Sequence, residues 1–91
     1  VIDDPAFKVL MANAEAIKRG ALSLWTIYEK PLDHPDGFLA RRFESNQDGD
    51  GPTMDTVTGD LEHIRLIFTR AGLYRLDRSV DDEPQIVETW V

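Results

Sequence analysis

Two imidazoles, His34 and His63, an arginine pair, Arg41-Arg42, and the polar run Asn46-Gln47-Asp48-Gly49-Asp50-Gly51 are the residues whose types and spacing could do chemistry. The polar run imitates a calcium loop, in which oxygen ligands alternate ahead of a Gly and a bidentate Glu closes the site at the twelfth position. Counted from Asn46, that closing position is Val57, and no helical pattern leads into Asn46. The run is therefore read as a solvated turn whose Asp and Gly residues serve the backbone.

The histidines lack the spacing of a zinc site, since neither has an H-x-x-x-H or Cys companion. Asp33-His34 is an acid and base pair only on paper, because neighbours in a loop rarely hold the geometry that proton transfer needs. Ser23, Ser45 and Ser79 lie in no nucleophile elbow, and the glycines form no phosphate-cradling loop. No catalytic residue, metal ligand or cofactor is assigned. In an extended strand Arg41 and Arg42 point to opposite faces, so one of them lies under cover and needs a carboxylate or carbonyl partner. Glu29 and Glu44 are the nearby candidates, and gripping an external anion is the alternative use.

To position these residues the chain has 91 amino acids, enough for one domain with a small core. Hydrophobic residues make up 42% and charged residues 30%, ordinary proportions for a folded chain. A net charge of −7, from 17 acids and 10 bases, repels phosphate backbones and anionic lipid heads, which argues against nucleic acid and membrane as partners. The absence of cysteine excludes disulfides and thiol chemistry and suits a reducing cytoplasm. No apolar stretch approaches the roughly 20 residues of a membrane helix, and no signal pattern opens the chain. No Met precedes Val1, which calls for initiator removal, processing or trimming.

Asp4-Pro5 is a helix start, and Lys18, Arg19 and Gly20 form a helix end. Between them Phe7, Leu10, Met11, Ala14 and Ile17 recur at helical spacing and are expected to pack on the protein's own sheet; docking as an arm on another protomer is the alternative. LSLWTIYEK from Leu22 and FLARRFES from Phe38 read as two strands joined by a Pro and Gly loop, with apolar residues on both faces. Such a pair needs cover above and below. Asn46 to Pro52 is expected to be loop, followed at most by a short edge strand at Thr56-Val57-Thr58. Thr58 or Asp60 then caps a second helix that buries Leu61, Ile64, Ile67, Phe68 and Ala71 and ends at Gly72, with Leu66 outside its apolar arc. Leu73 to Arg78 and Gln85 to Val91 are the last strands, separated by an acidic loop. The expected fold is α+β, a mostly antiparallel sheet with element order α-β-β-α-β-β and helices on the sheet faces. Residues 1–20 form the helical arm and 22–91 a ββαββ core.

Trp25-Thr26-Ile27-Tyr28, then Pro31, Asp33, Pro35, Phe38 and Ala40-Arg41-Arg42-Phe43, resembles a family of short uncharacterised proteobacterial proteins with W-T-x-Y, P-x-D-x-P and A-R-R segments. The likeness continues through Asp60-Leu61-Glu62, Gly72-Leu73 and Ile86-Val87-Glu88. It implies a shared fold and carries no assigned activity.

The reading that follows is a noncatalytic protein-interaction module, self-associating, with Phe7, Leu10, Met11 and Leu66 as contact candidates. The alternative is a carboxylate-binding protein or enzyme subunit with a pocket between sheet and helix, gripping its ligand through Arg41 or Arg42. Trp25, Tyr28, Phe43 and Trp90 could form a base-stacking platform, but without a basic groove they read as core. The tail Glu88-Thr89-Trp90-Val91 suits recognition by strand addition only if it is not already paired.

Overall fold

The computed structural model describes residues 4–29, 37–77 and 86–91. The elements are α1 (Pro5–Lys18), β1 (Leu22–Glu29), β2 (Phe38–Asn46), β3 (Gly49–Gly59), α2 (Leu61–Arg70), β4 (Arg75–Leu76) and β5 (Ile86–Trp90). The strands form one antiparallel sheet in the order β3-β2-β1-β5-β4. Pro31, Asp33, His34 and the acidic run from Ser79 to Pro84 lie outside the described residues.

Helix termini follow their local chemistry. The Asp4 carboxylate accepts from the Ala6 N–H at 2.9 Å, and the Asp60 carboxylate accepts from the His63 N–H at 2.8 Å. Gly20 and Gly72 take the left-handed conformation, with φ of 76° and 83°, that lets the chain turn away after each helix.

Four expectations need correction. The polar run is not a long loop: only Gln47 and Asp48 turn, Asn46 pairs with Gly49, and β3 is a full 11-residue strand, giving the order α-β-β-β-α-β-β. Among the described strands β3 lies at one end of the sheet, so its Asp, Gly and Pro residues need to satisfy a ladder on one side only. The second correction concerns β4, which is Arg75–Leu76 alone within the described part of the expected strand from Leu73, Arg78 lying outside the described residues; Leu73 is instead drawn into the core.

Third, both helices pack on one face of the sheet. Ala6 and Val9 of α1, Ile64, Ile67 and Phe68 of α2, and Trp25, Ile27, Ala40 and Trp90 of the sheet form a single buried cluster. The opposite face carries Leu24, Thr26, Tyr28, Leu39, Arg41 and Phe43, and no helix among the described residues covers it. Those side chains are buried or half-buried, with Leu24 beside Phe43 and Tyr28 beside Leu39 across the strands.

Fourth, α1 is turned from its expected orientation. Its core side is Ala6, Val9 and Ala16, whereas Phe7, Leu10, Met11 and Ile17 are 40%, 50%, 45% and 72% exposed. Small side chains therefore face inward over Trp25, with Ala12 partly buried beside them. The indole Nε1–H of Trp25 donates to Asn13 Oδ1 at 2.9 Å, fixing the rotation of the helix.

Phe68 sits between the two tryptophans, with ring centroids 5.4 Å from Trp25 and 5.6 Å from Trp90. Phe68→Ala is expected to lower unfolding stability by about 3–5 kcal/mol in urea titrations. Leu66→Ala, on the exposed side of the same helix, should change it by no more than about 0.5 kcal/mol.

Candidate interaction surface

The structure separates the candidate residues by element and face. Arg41 and Arg42 alternate across β2 as expected. Arg42 points to the helix side and is buried, where its guanidinium donates to Asp55 Oδ2 at 2.8 Å, Glu44 Oε1 at 2.9 Å and Ser23 Oγ at 3.2 Å. Arg41, on the other face, donates to the Thr53 carbonyl at 2.8 Å. Asp55 is the partner that sequence reading missed. It reaches Arg42 through an irregularity in which Thr53 to Asp55 stand opposite Arg42 alone, next to Pro52, which cannot join a ladder. Thr53 Oγ1 donates to the Arg42 carbonyl left unpaired by that bulge, at 2.8 Å.

Glu44 extends the network to the end of α1: Arg19 grips it bidentately at 2.6 and 3.0 Å. Hydrogen bonds from Arg19 and then Arg42 pull the Glu44 carboxyl down to about 2. A second network lies under α2. The buried Glu88 carboxylate accepts from Arg65 at 2.9 and 3.0 Å and from the Trp90 indole at 3.0 Å, with Arg75 3.7 Å away. Burial pushes the Glu88 carboxyl up, but these donors outweigh it and hold the group below its ordinary value. Alternation offered a signal for Glu88, which shares a face with the buried Trp90. A third tie, Arg70 to Asp4 at 3.3 Å, joins the end of α2 to the start of α1.

The remaining candidates are surface. Phe7, Leu10, Met11 and Ile17, with the half-buried Ala14, make a continuous outward stripe along α1. Leu66 is 57% exposed on α2. Beside α1, towards β3, runs a cleft of ≈ 320 Å³ lined by Lys8, Val9, Trp25, Asp55, Val57 and His63 among others. It shares Lys8, Ala12 and Asp55 with a shallower groove that reaches Phe7, Met11 and Arg42.

Trp25 and Trp90 are buried while Tyr28 and Phe43 lie on the other face, so the four aromatics form no shared platform. The segment is already strand β5, paired to β1 on one side, while Thr89 and Trp90 pair with β4 and Val91 with Tyr74 on the other. Among the described residues no three His, Asp or Glu side chains are placed to hold a metal ion. Within them, too, no helix is long and apolar enough to cross a membrane. No family model, curated protein or solved structure matches this chain.

Because the Glu44 carboxyl is lowered in the folded state, its contribution to stability is complete above its ordinary value of 4.5 and is lost as pH falls towards about 2. Urea midpoints followed over that range are expected to fall steeply for the natural chain and less steeply for Glu44→Gln. Equal slopes would show that the Arg19 and Arg42 pairing does not govern this titration.

Proposed function

We propose that this protein is a noncatalytic interaction module that self-associates through the outer face of α1. The observation that carries the proposal is the double apolar character of that helix: Ala6, Val9 and Ala16 fill the core, yet Phe7, Leu10, Met11 and Ile17 stand in water. Isolated apolar residues on a surface are ordinary, but a contiguous helical stripe signals a docking face. A second copy is the occupant favoured by charge. The whole chain carries −7, whereas α1 with its flanking caps, Asp4 to Arg19, holds three bases against two acids. It is a segment where an equally acidic copy can approach without strong repulsion. The same net charge disfavours nucleic acid and anionic membrane as partners, and a chain without cysteine suits the cytoplasm.

A 14-residue helix is about 21 Å long and 10 Å wide, so one stripe covers less than the roughly 800 Å² per partner of a standard interface. Association is therefore concentration-dependent rather than obligate. Sedimentation velocity over a dilution series is expected to show a monomer and dimer in exchange, and Leu10→Glu or Met11→Glu to leave monomer with an unchanged unfolding midpoint. A natural chain that stays monomeric at every concentration sinks the proposal.

The cleft between α1 and β3 supports a second reading, a small-ligand site. The Nε and Nη1 donors of Arg42 are already engaged by Asp55, Glu44 and Ser23, which sets it apart from a free carboxylate grip. The Lys8 ammonium and the His63 imidazole line the cleft wall. A thermal-shift screen of metabolite acids tests this reading: stabilisation that is lost in Lys8→Ala supports it, and no shift with any acid counts against it.

A further inference from the structure

We infer that two copies pair their α1 helices antiparallel, across a twofold axis passing beside Met11 and Ala12. This geometry rests on the self-association proposed above. Phe7, Leu10, Ala14 and Ile17 are spaced three, four and three residues apart, the repeat of a helix-pairing seam, and Met11 lies beside it. The seam is nearly its own reverse. Inverted about the Met11 and Ala12 position, Phe7 falls against Ile17 of the partner subunit and Leu10 against Ala14 of the partner subunit, a large residue meeting a small one. Met11 then meets its own copy.

The charges alongside the seam follow the same inversion with opposite sign. Asp4, Lys8, Glu15 and Lys18 lie on one flank of the stripe, in the order acid, base, acid, base. A twofold axis perpendicular to the helices brings like flanks together. Asp4 then faces Lys18 of the partner subunit, and Lys8 faces Glu15 of the partner subunit. Glu15 and Lys18 are available for the exchange, since their pair within one copy is 3.6 Å long and both side chains are well exposed, whereas Asp4 would share its carboxylate with Arg70. Among the described residues Lys8 forms no ion pair of its own. The flank opposite this ribbon turns towards Ala6 and Asn13, which are occupied by the protein's own core and by Trp25.

The absence of cysteine from the 91-residue chain allows a direct test in it. In the antiparallel pair, position 7 lies about 2 Å along the axis from position 17 of the partner, whereas the two copies of position 7 stand about 14 Å apart. Disulfides close only when Cα atoms come within about 7 Å. Mild oxidation of a mixture of Phe7→Cys and Ile17→Cys chains is therefore expected to give the mixed dimer, while each variant alone gives little. In parallel, Glu15→Lys is expected to weaken the dimer about three- to tenfold in sedimentation, and adding Lys8→Glu to restore it. Efficient linkage of either variant alone, or a double charge variant no tighter than Glu15→Lys, overturns the antiparallel geometry. Each of those results leaves self-association standing, whereas a natural chain that never dimerises removes both.

Discussion

The orientation of α1 over Trp25 is the constraint on which the rest of this structure depends. A buried indole occupies the centre of the sheet's helix side, and its N–H must be satisfied there, which Asn13 does at 2.9 Å. On that side the helix presents Ala6, Val9 and Ala16, with Ala12 partly buried beside them. Everything larger and apolar on α1 is consequently turned outward. The exposed stripe is thus a consequence of how the core is filled rather than a defect in it.

Ion pairs then hold this orientation at both ends of the helix. Arg19 is tied to β2 through Glu44, and Asp4 is tied to the end of α2 through Arg70. The two networks differ in what their loss costs. Arg42 is buried with three acceptors, so removing Asp55 and Glu44 leaves an uncompensated charge, the situation in which broken pairs are most damaging. Arg70 and Asp4 meet at the surface, where solvent screens them, and serve mainly to align the helices.

How much of this was legible in the sequence depended on whether local chemistry decides the outcome. Caps, the extent of α2, its buried arc and its exposed Leu66 follow from residue type and period, and the structure has them where period and capping place them. The opposite facing of Arg41 and Arg42 follows from alternation alone. The orientation of α1 did not, because the helix is apolar on two sides and periodicity marks the side with the larger residues. Choosing between them requires knowing what lies beneath, and Trp25 is 12 positions from Asn13. The length of β3 was hidden for a related reason: Asp48-Gly49-Asp50-Gly51-Pro52 has turn composition, and its pairing with β2 is decided by the two-residue turn and by Asn46, whose side chain accepts from the Asp48 N–H at 2.8 Å. Partners distant in the chain, Asp55 for Arg42 and Arg65 for Glu88, become visible only once the strands are in register.

The functional reading joins these points: a small α+β domain whose core leaves one helix with a second apolar side. The most direct measurement is isotope-filtered NMR on a mixture of labelled and unlabelled chains, which separates contacts within a copy from contacts between copies. The account predicts that Val9 methyl groups contact the Trp25 indole within a copy, while Ile17 methyl groups contact the Phe7 ring only between copies. Contacts from Phe7 and Leu10 to Trp25 within a single copy contradict it, since they place the large apolar side of the helix on its own sheet.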